Sequence, residues 1–184
     1  MSATAVRQAL GPADGGRTLD QRVSVRFPRM ADANARLIAS LPPSSRVRQA
    51  AVKRWAESAL AAFNRRDLEA ALAGAAPGFE YRPNPDWVEA GLVEASYRGL
   101  EGYRRFVSTV DEVWGGQNFL TPLELFDLGD RLLVLASGRM QAQASGVWLT
   151  EEFAMIVTLE DGRATSAQEY YDHARAKALA GVAS

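Results

Sequence analysis

The sequence predicts an α+β domain in which long antiparallel strands form a curved sheet, closed by about three helices around an apolar pocket, with a helical arm ahead of it. Three observations carry this. Apolar residues recur at helical spacing across residues 47–63 and again across 100–114. Beyond residue 120 the period falls to two over successive stretches, 120–127, 131–143, 147–159 and 164–172. Leu128-Gly129-Asp130, Ser145-Gly146 and Glu160-Asp161-Gly162 then supply turns between those stretches.

Residues 1–17 are small and polar and are expected to be disordered. Residues 18–45 read as a helical arm interrupted by Pro28, with Val23, Phe27, Leu37, Ile38 and Leu41 available for packing. Too poor in apolar residues for its own core, the arm is expected to lie on the domain or on a partner. Pro42-Pro43-Ser44-Ser45 separates it from a domain spanning 46–184. The first domain helix places Val52, Trp55, Ala59, Ala62 and Phe63 on one face, with Arg54, Glu57 and Ser58 opposite. Asp67 is the expected N-cap of a short helix over 68–73, ended by Gly74 and Pro77. A strand over 79–82 leads to a loop, 83–91, that carries Trp87. The next helix has a stripe of Tyr103, Phe106, Val107, Val110 and Trp114 and stops at Gly115-Gly116.

Composition removes several functions. The 184 residues suit one domain with an extension, and a net charge of -1 offers no global field for nucleic acid or an anionic membrane surface. No cysteine is present and His173 is the sole histidine, which excludes disulfides, a conventional zinc site and most nucleophile–histidine pairs. No phosphate-binding Gly-rich loop follows a strand, and the arginine clusters at Arg46/Arg48/Arg54 and Arg65/Arg66 lack interleaved aromatics. Neither a leader-like apolar segment nor a membrane-length apolar run occurs, so a cytoplasmic address is expected. No cofactor is implied.

FNRRDLEAAL, YRGLEGYRRF, LGDRLLVL and LEDGRATSAQEYYDHARAKAL, in that order, resemble the nuclear transport factor 2-like superfamily and its SnoaL-like, polyketide cyclase-like branch. The likeness covers residues 47–180. It implies a cystatin-like cone: a bent sheet closed by helices around an apolar cavity, often paired into a homodimer through the sheet. The family spans ketosteroid isomerases, polyketide cyclases, epoxide hydrolases, dehydratases and proteins without known activity, so fold alone does not give the reaction. Ala59 and Pro83 stand where a ketosteroid isomerase-like site would want its tyrosine and aspartate, and the Asp-Arg-Asp set of the epoxide hydrolases is missing.

Two glutamates are the candidate catalytic groups. Along 147–159 the odd positions are apolar except for Glu151, which shares a face with Phe153 and Met155. A bulge beside Glu151-Glu152, or a later strand start, would instead leave Glu151 in water. Along 164–172, Ala167, Glu169 and Tyr171 share a face, and the resemblance favours Glu169 inside. Two carboxylates in one cavity could divide acid and base roles; the plain alternative is a surface pair, or one satisfied by an arginine such as Arg139. Tyr81, Trp87, Tyr97, Tyr103, Phe153, Met155 and Tyr171 are the expected substrate-binding wall, Trp87 as a lid. His173 reads as structural, following Asp172 as the N-cap of a closing helix.

The expected partner is therefore a small hydrophobic molecule. The function expected is cofactor-independent isomerisation, cyclisation, dehydration or hydrolysis with a pocket glutamate as base. The alternative is a non-catalytic ligand-binding or dimeric interaction module.

Overall fold

The computed structural model describes residues 5–12, 16–116, 118–141 and 145–182. Strand β1 (Val6–Ala9) precedes the arm helices α1 (Leu19–Arg26) and α2 (Pro28–Ala39). The domain continues with α3 (Arg46–Asn64), α4 (Leu68–Ala71), β2 (Ala75–Arg82), α5 (Pro85–Glu89), β3 (Tyr97–Arg98) and α6 (Gly99–Trp114). It closes with β4 (Asn118–Asp127), β5 (Arg131–Gln141), β6 (Trp148–Glu160), β7 (Arg163–Tyr170) and α7 (His173–Ala180).

These strands form one curved sheet in the order β1-β4-β5-β6-β7-β2-β3. Neighbours are antiparallel except β2 and β7, which run parallel and are separated in sequence by α5, β3, α6 and the β4–β6 meander. One face of the sheet meets α3 and α6: Ala56 and Leu60 of α3 and Phe106 and Val107 of α6 close on Leu125, Leu132 and Val134. On the other face α7 brings Ala176 and Ala180 against Leu133, Leu135 and Ala154. Successive residues of β5 thus serve opposite layers, as the strand period requires. Each fully buried leucine of this strand stabilises the fold by roughly 1.5–3 kcal/mol.

Local signals act where the sequence places them. The Asp67 side chain caps α4, Asp172 caps α7, and Gly115 ends α6 in the left-handed conformation. Pro28 does more than interrupt the arm: it occupies the first turn of α2, where its missing N–H costs nothing.

The arm lies on its own domain through polar anchors. Buried Gln21 completes a capping box with Thr18 and donates to the carbonyls of Ser58 and Ala70. Arg163 reaches Asp32, and Gly162, at φ +76°, lies so close to the Ala35 carbonyl that a Cβ would sit 2.2 Å from its oxygen. Arg48 forks onto Asp127 at 2.6 and 2.8 Å and also donates to the Ala39 and Leu41 carbonyls, tying arm, α3 and β4 together.

The expected disorder of residues 1–17 is corrected in part. Val6–Ala9 pairs antiparallel with β4, from Val6 opposite Asp127 to Ala9 opposite Glu124. Only one of those four residues is a strong strand former, so the open edge of β4 imposes the conformation. Among the described residues no helix is long and apolar enough to cross a membrane.

Candidate functional site

Between α3, α6 and the sheet lies a cavity of about 110 Å³, several times the roughly 10–15 Å³ needed to hold one water. Strand alternation builds its walls. Val134, Gly138 and Met140 enter from β5, and Phe153, Met155 and Val157 from β6. On β7 the alternation is broken by one extra residue, since Thr158 pairs with Ser166 but Leu159 with Ala164. That bulge lets Ala164 face the cavity while keeping Ala167, Glu169 and Tyr171 on the same side. Ala56, Ala59 and Phe63 of α3 and Tyr103, Phe106 and Val110 of α6 complete it.

Glu169 is the only carboxylate among the described lining residues, and no lysine, arginine or histidine joins it there. It is 1% exposed. Its Oε2 accepts a short hydrogen bond from the Tyr81 hydroxyl, while Oε1 is buried with no hydrogen-bond partner. Burial raises the Glu169 pKa above the ordinary glutamate value, and the hydroxyls of Tyr171 and Tyr81 oppose that rise by favouring the charged form. The tyrosines respond in the same sense. Burial, then the nearby Glu169 charge, pushes Tyr81 and Tyr171 well above the usual phenol value, and Tyr103 upward for the same reasons. All three hydroxyls therefore stay protonated at neutral pH.

Trp87 lines the cavity from α5, a short helix where the sequence suggests only a loop. Its ring lies 5.1 Å from Tyr171 and 6.4 Å from Trp114, so aromatic contacts hold it over this end. Asn84 caps α5 and sets its direction.

Of the residues expected from sequence, Glu169, Tyr81, Trp87, Tyr103, Phe153, Met155 and Tyr171 come together. Two do not. Glu151 is exposed and does not line the cavity, so the expected carboxylate pair is not formed. Its face is as expected, but β7 reaches only to Tyr170, opposite Ala154, and the earlier residues of β6 extend into water. Tyr97 is buried in the core beside Phe106, and its hydroxyl is occupied by the Glu94 N–H. Arg139 is not a partner of Glu169; its guanidinium stacks on Trp148. His173 holds the sheet, its Nε2 lying 3.0 and 2.9 Å from the carbonyls of Ala136 and Phe153.

Sequence reading missed Asn118, which opens β4 and lines the cavity. A polar residue following Gly115-Gly116 reads as part of a turn, and only the structure shows the strand beginning there. A second, larger cavity of about 190 Å³ lies between the arm and α3 and shares Trp55, Ala59 and Ala71 with the first. No buried carboxylate is among the described residues that line it. Among the described residues no group of three or more acidic or histidine side chains is placed to hold a metal ion.

A curved sheet closed by helices is a cystatin-like fold. Residues 52–167 match the SnoaL-like domain, and the chain belongs to that family. It is similar to TerC, crystallised with polyporic acid, at 27% identity over 68% of this chain and 95% of that one, with a TM-score of 0.58. An NTF2-like protein of unknown function from Burkholderia pseudomallei K96243 is as similar, 27% identical over 68% and 94% of the two chains, TM-score 0.58. A ketosteroid isomerase-like fold protein from Catenulispora acidiphila DSM 44928, in complex with trimethylamine, shares the fold at 16% identity, covering 70% and 93%, TM-score 0.53. No curated protein matches.

Proposed function

We propose that this protein binds a small hydrophobic molecule in the Glu169 cavity and moves a proton on it, as in an isomerisation, cyclisation or dehydration. The observation that carries this reading is a buried carboxylate with no cation among the described residues lining its cavity, Oε2 held by Tyr81, the Tyr171 hydroxyl nearby, and Oε1 without a hydrogen-bond partner. Such a group is a stronger base than a solvated glutamate, because burial disfavours its charge. Oε1 would take a proton from carbon next to a carbonyl and return it elsewhere on the product. The Tyr103 hydroxyl, which has no bond to the carboxylate, is left to donate to the oxyanion that forms. Tyr81 fixes the carboxylate rather than reacting. No step requires a cofactor.

Relatives support the ligand class without supplying its identity. TerC was crystallised with polyporic acid. A second reading, holding a ligand without turnover, is favoured by the wall, which away from Glu169, Asn118 and the tyrosines is apolar. Pairing of two copies is likewise proposed, on the family resemblance and the exposed Leu123 and Trp148 of the sheet; sedimentation of the purified chain would test it.

Hydrogen–deuterium exchange at the carbon beside the carbonyl, in a panel of hydrophobic ketones in D2O, separates the two readings. Exchange above the buffer rate that is lost in Glu169→Gln supports proton chemistry. Tight binding of a ketone with no exchange would leave the holding role.

A further inference from the structure

Asn118 is 6% exposed and its amide is only half used. Nδ2 donates to Asp111 Oδ1 at 3.3 Å, whereas Oδ1 is buried and has no hydrogen-bond partner. The orientation of the amide is not free. Arg66 grips Asp111 through Nε and Nη2, at 3.1 and 2.7 Å, and donates to the carbonyls of Gly116 and Asn118 itself. Arg66 follows the C-cap of α3 in a left-handed backbone conformation, φ 59°, and the helix-end bonds from its N–H to Phe63 and from the Asp67 N–H to Ala62 hold it there. Turning the amide over would set its oxygen against a charged carboxylate. The Arg66–Asp111 pair therefore commits the nitrogen and leaves the oxygen unpaired, on a residue that lines the cavity.

An unpartnered buried acceptor carries a desolvation cost of about 1–3 kcal/mol, so a protein retains one where something else satisfies it. Asn118 lines the same cavity as Glu169, but on β4, with β5 and β6 between them. A molecule that meets both extends across the cavity. No cationic side chain lines the space among the described residues, so an anionic ligand group finds no counter-charge there.

We infer that Asn118 Oδ1 is a recognition point for a hydroxyl or N–H donor on the ligand, at the end remote from Glu169, and that the ligand is a neutral, donor-bearing hydrophobic molecule. This deepens the proposed use of the cavity, but it concerns binding and stands whether or not Glu169 turns the ligand over. Arg66 and Asp111 are positioning residues: they hold the amide and do not touch the ligand.

Matched probes test it without turnover: phenol against toluene, and a naphthol against its methylnaphthalene counterpart, titrated calorimetrically into the full chain. The wild type is expected to favour the hydroxylated member of a pair by about tenfold. Asn118→Leu should abolish that preference while still binding the methylated member. Glu169→Leu, which removes the acceptor oxygens at that position, should retain it, which separates Asn118 from the carboxylate as the acceptor and keeps this test independent of any base. If Asn118→Leu fails to fold, Asn118→Ala gives the same comparison. No preference in the wild type, no binding of either hydroxylated probe, or a preference that survives both Asn118 variants would overturn the inference.

Discussion

Two buried carboxylates stand on opposite sides of this molecule's chemistry. Asp127 is fully buried and fully paired: Arg48 forks onto both oxygens, and the Gly129 N–H adds a third bond at 3.0 Å. Glu169 is equally buried but has only tyrosine hydroxyls for company and one oxygen without a partner. The first joins arm, helix and sheet, and its charge is spent on structure. The second lies in an apolar space whose described lining holds no cation, so its charged form is disfavoured and the group is left available to a ligand. The contrast shows how the same side-chain chemistry is made structural or reactive by its neighbours.

The largest effect is expected from breaking the structural pair. Arg48→Met strands the Asp127 charge and should cost about 3–5 kcal/mol in urea unfolding. If the loss were below 1 kcal/mol, the pair would not be holding the arm. Next is Tyr81→Phe, which removes the bond to Glu169 Oε2. Where Glu169 is ionised it should cost about 1.5–3 kcal/mol and raise the Glu169 midpoint further, measurable by thermal melts across pH.

Glu169→Gln should act in the opposite direction. The carboxyl is raised in the folded state, so just above the ordinary value of 4.5 the folded chain keeps a proton that the unfolded chain has lost. Wild-type stability therefore falls as pH rises from there through the folded midpoint, then levels off. The glutamine variant lacks that fall. Its Tm should exceed that of the wild type at neutral pH, with the gap narrowing as pH approaches 4. A gap independent of pH would mean Glu169 carries no buried charge. The smallest effect belongs to Glu151→Gln: exposed and outside the cavity, it should change stability by no more than about 0.5 kcal/mol and leave any turnover intact.

Much of this was legible before any coordinates. Turn chemistry and the change of apolar period located α3, α6 and the meander, since these depend on local geometry and burial on one face. Face parity grouped Phe153 with Met155 and Glu169 with Tyr171, while the family resemblance favoured Glu169 inside; all four line the cavity. It failed at Glu151 because parity states which side a residue faces, not how far the neighbouring strand extends; β7 ends opposite Ala154. Residues 6–9 looked disordered because their strand is a property of the β4 edge. Tyr97 and Asn118 could not be sorted from sequence, since what separates them is whether a polar atom is already used: the Tyr97 oxygen accepts from Glu94, the Asn118 oxygen accepts from nothing.

The account rests on the ionisation of Glu169. Carboxyl carbon NMR of the protein labelled at glutamate, with the Glu169 resonance assigned from its absence in Glu169→Gln, reads that midpoint directly. A midpoint clearly above 4.5 is the expected result, and it marks a buried base without a counter-charge. A midpoint at or below 4.5 would show that the carboxylate is satisfied where it stands, and the proton-transfer reading would then fail.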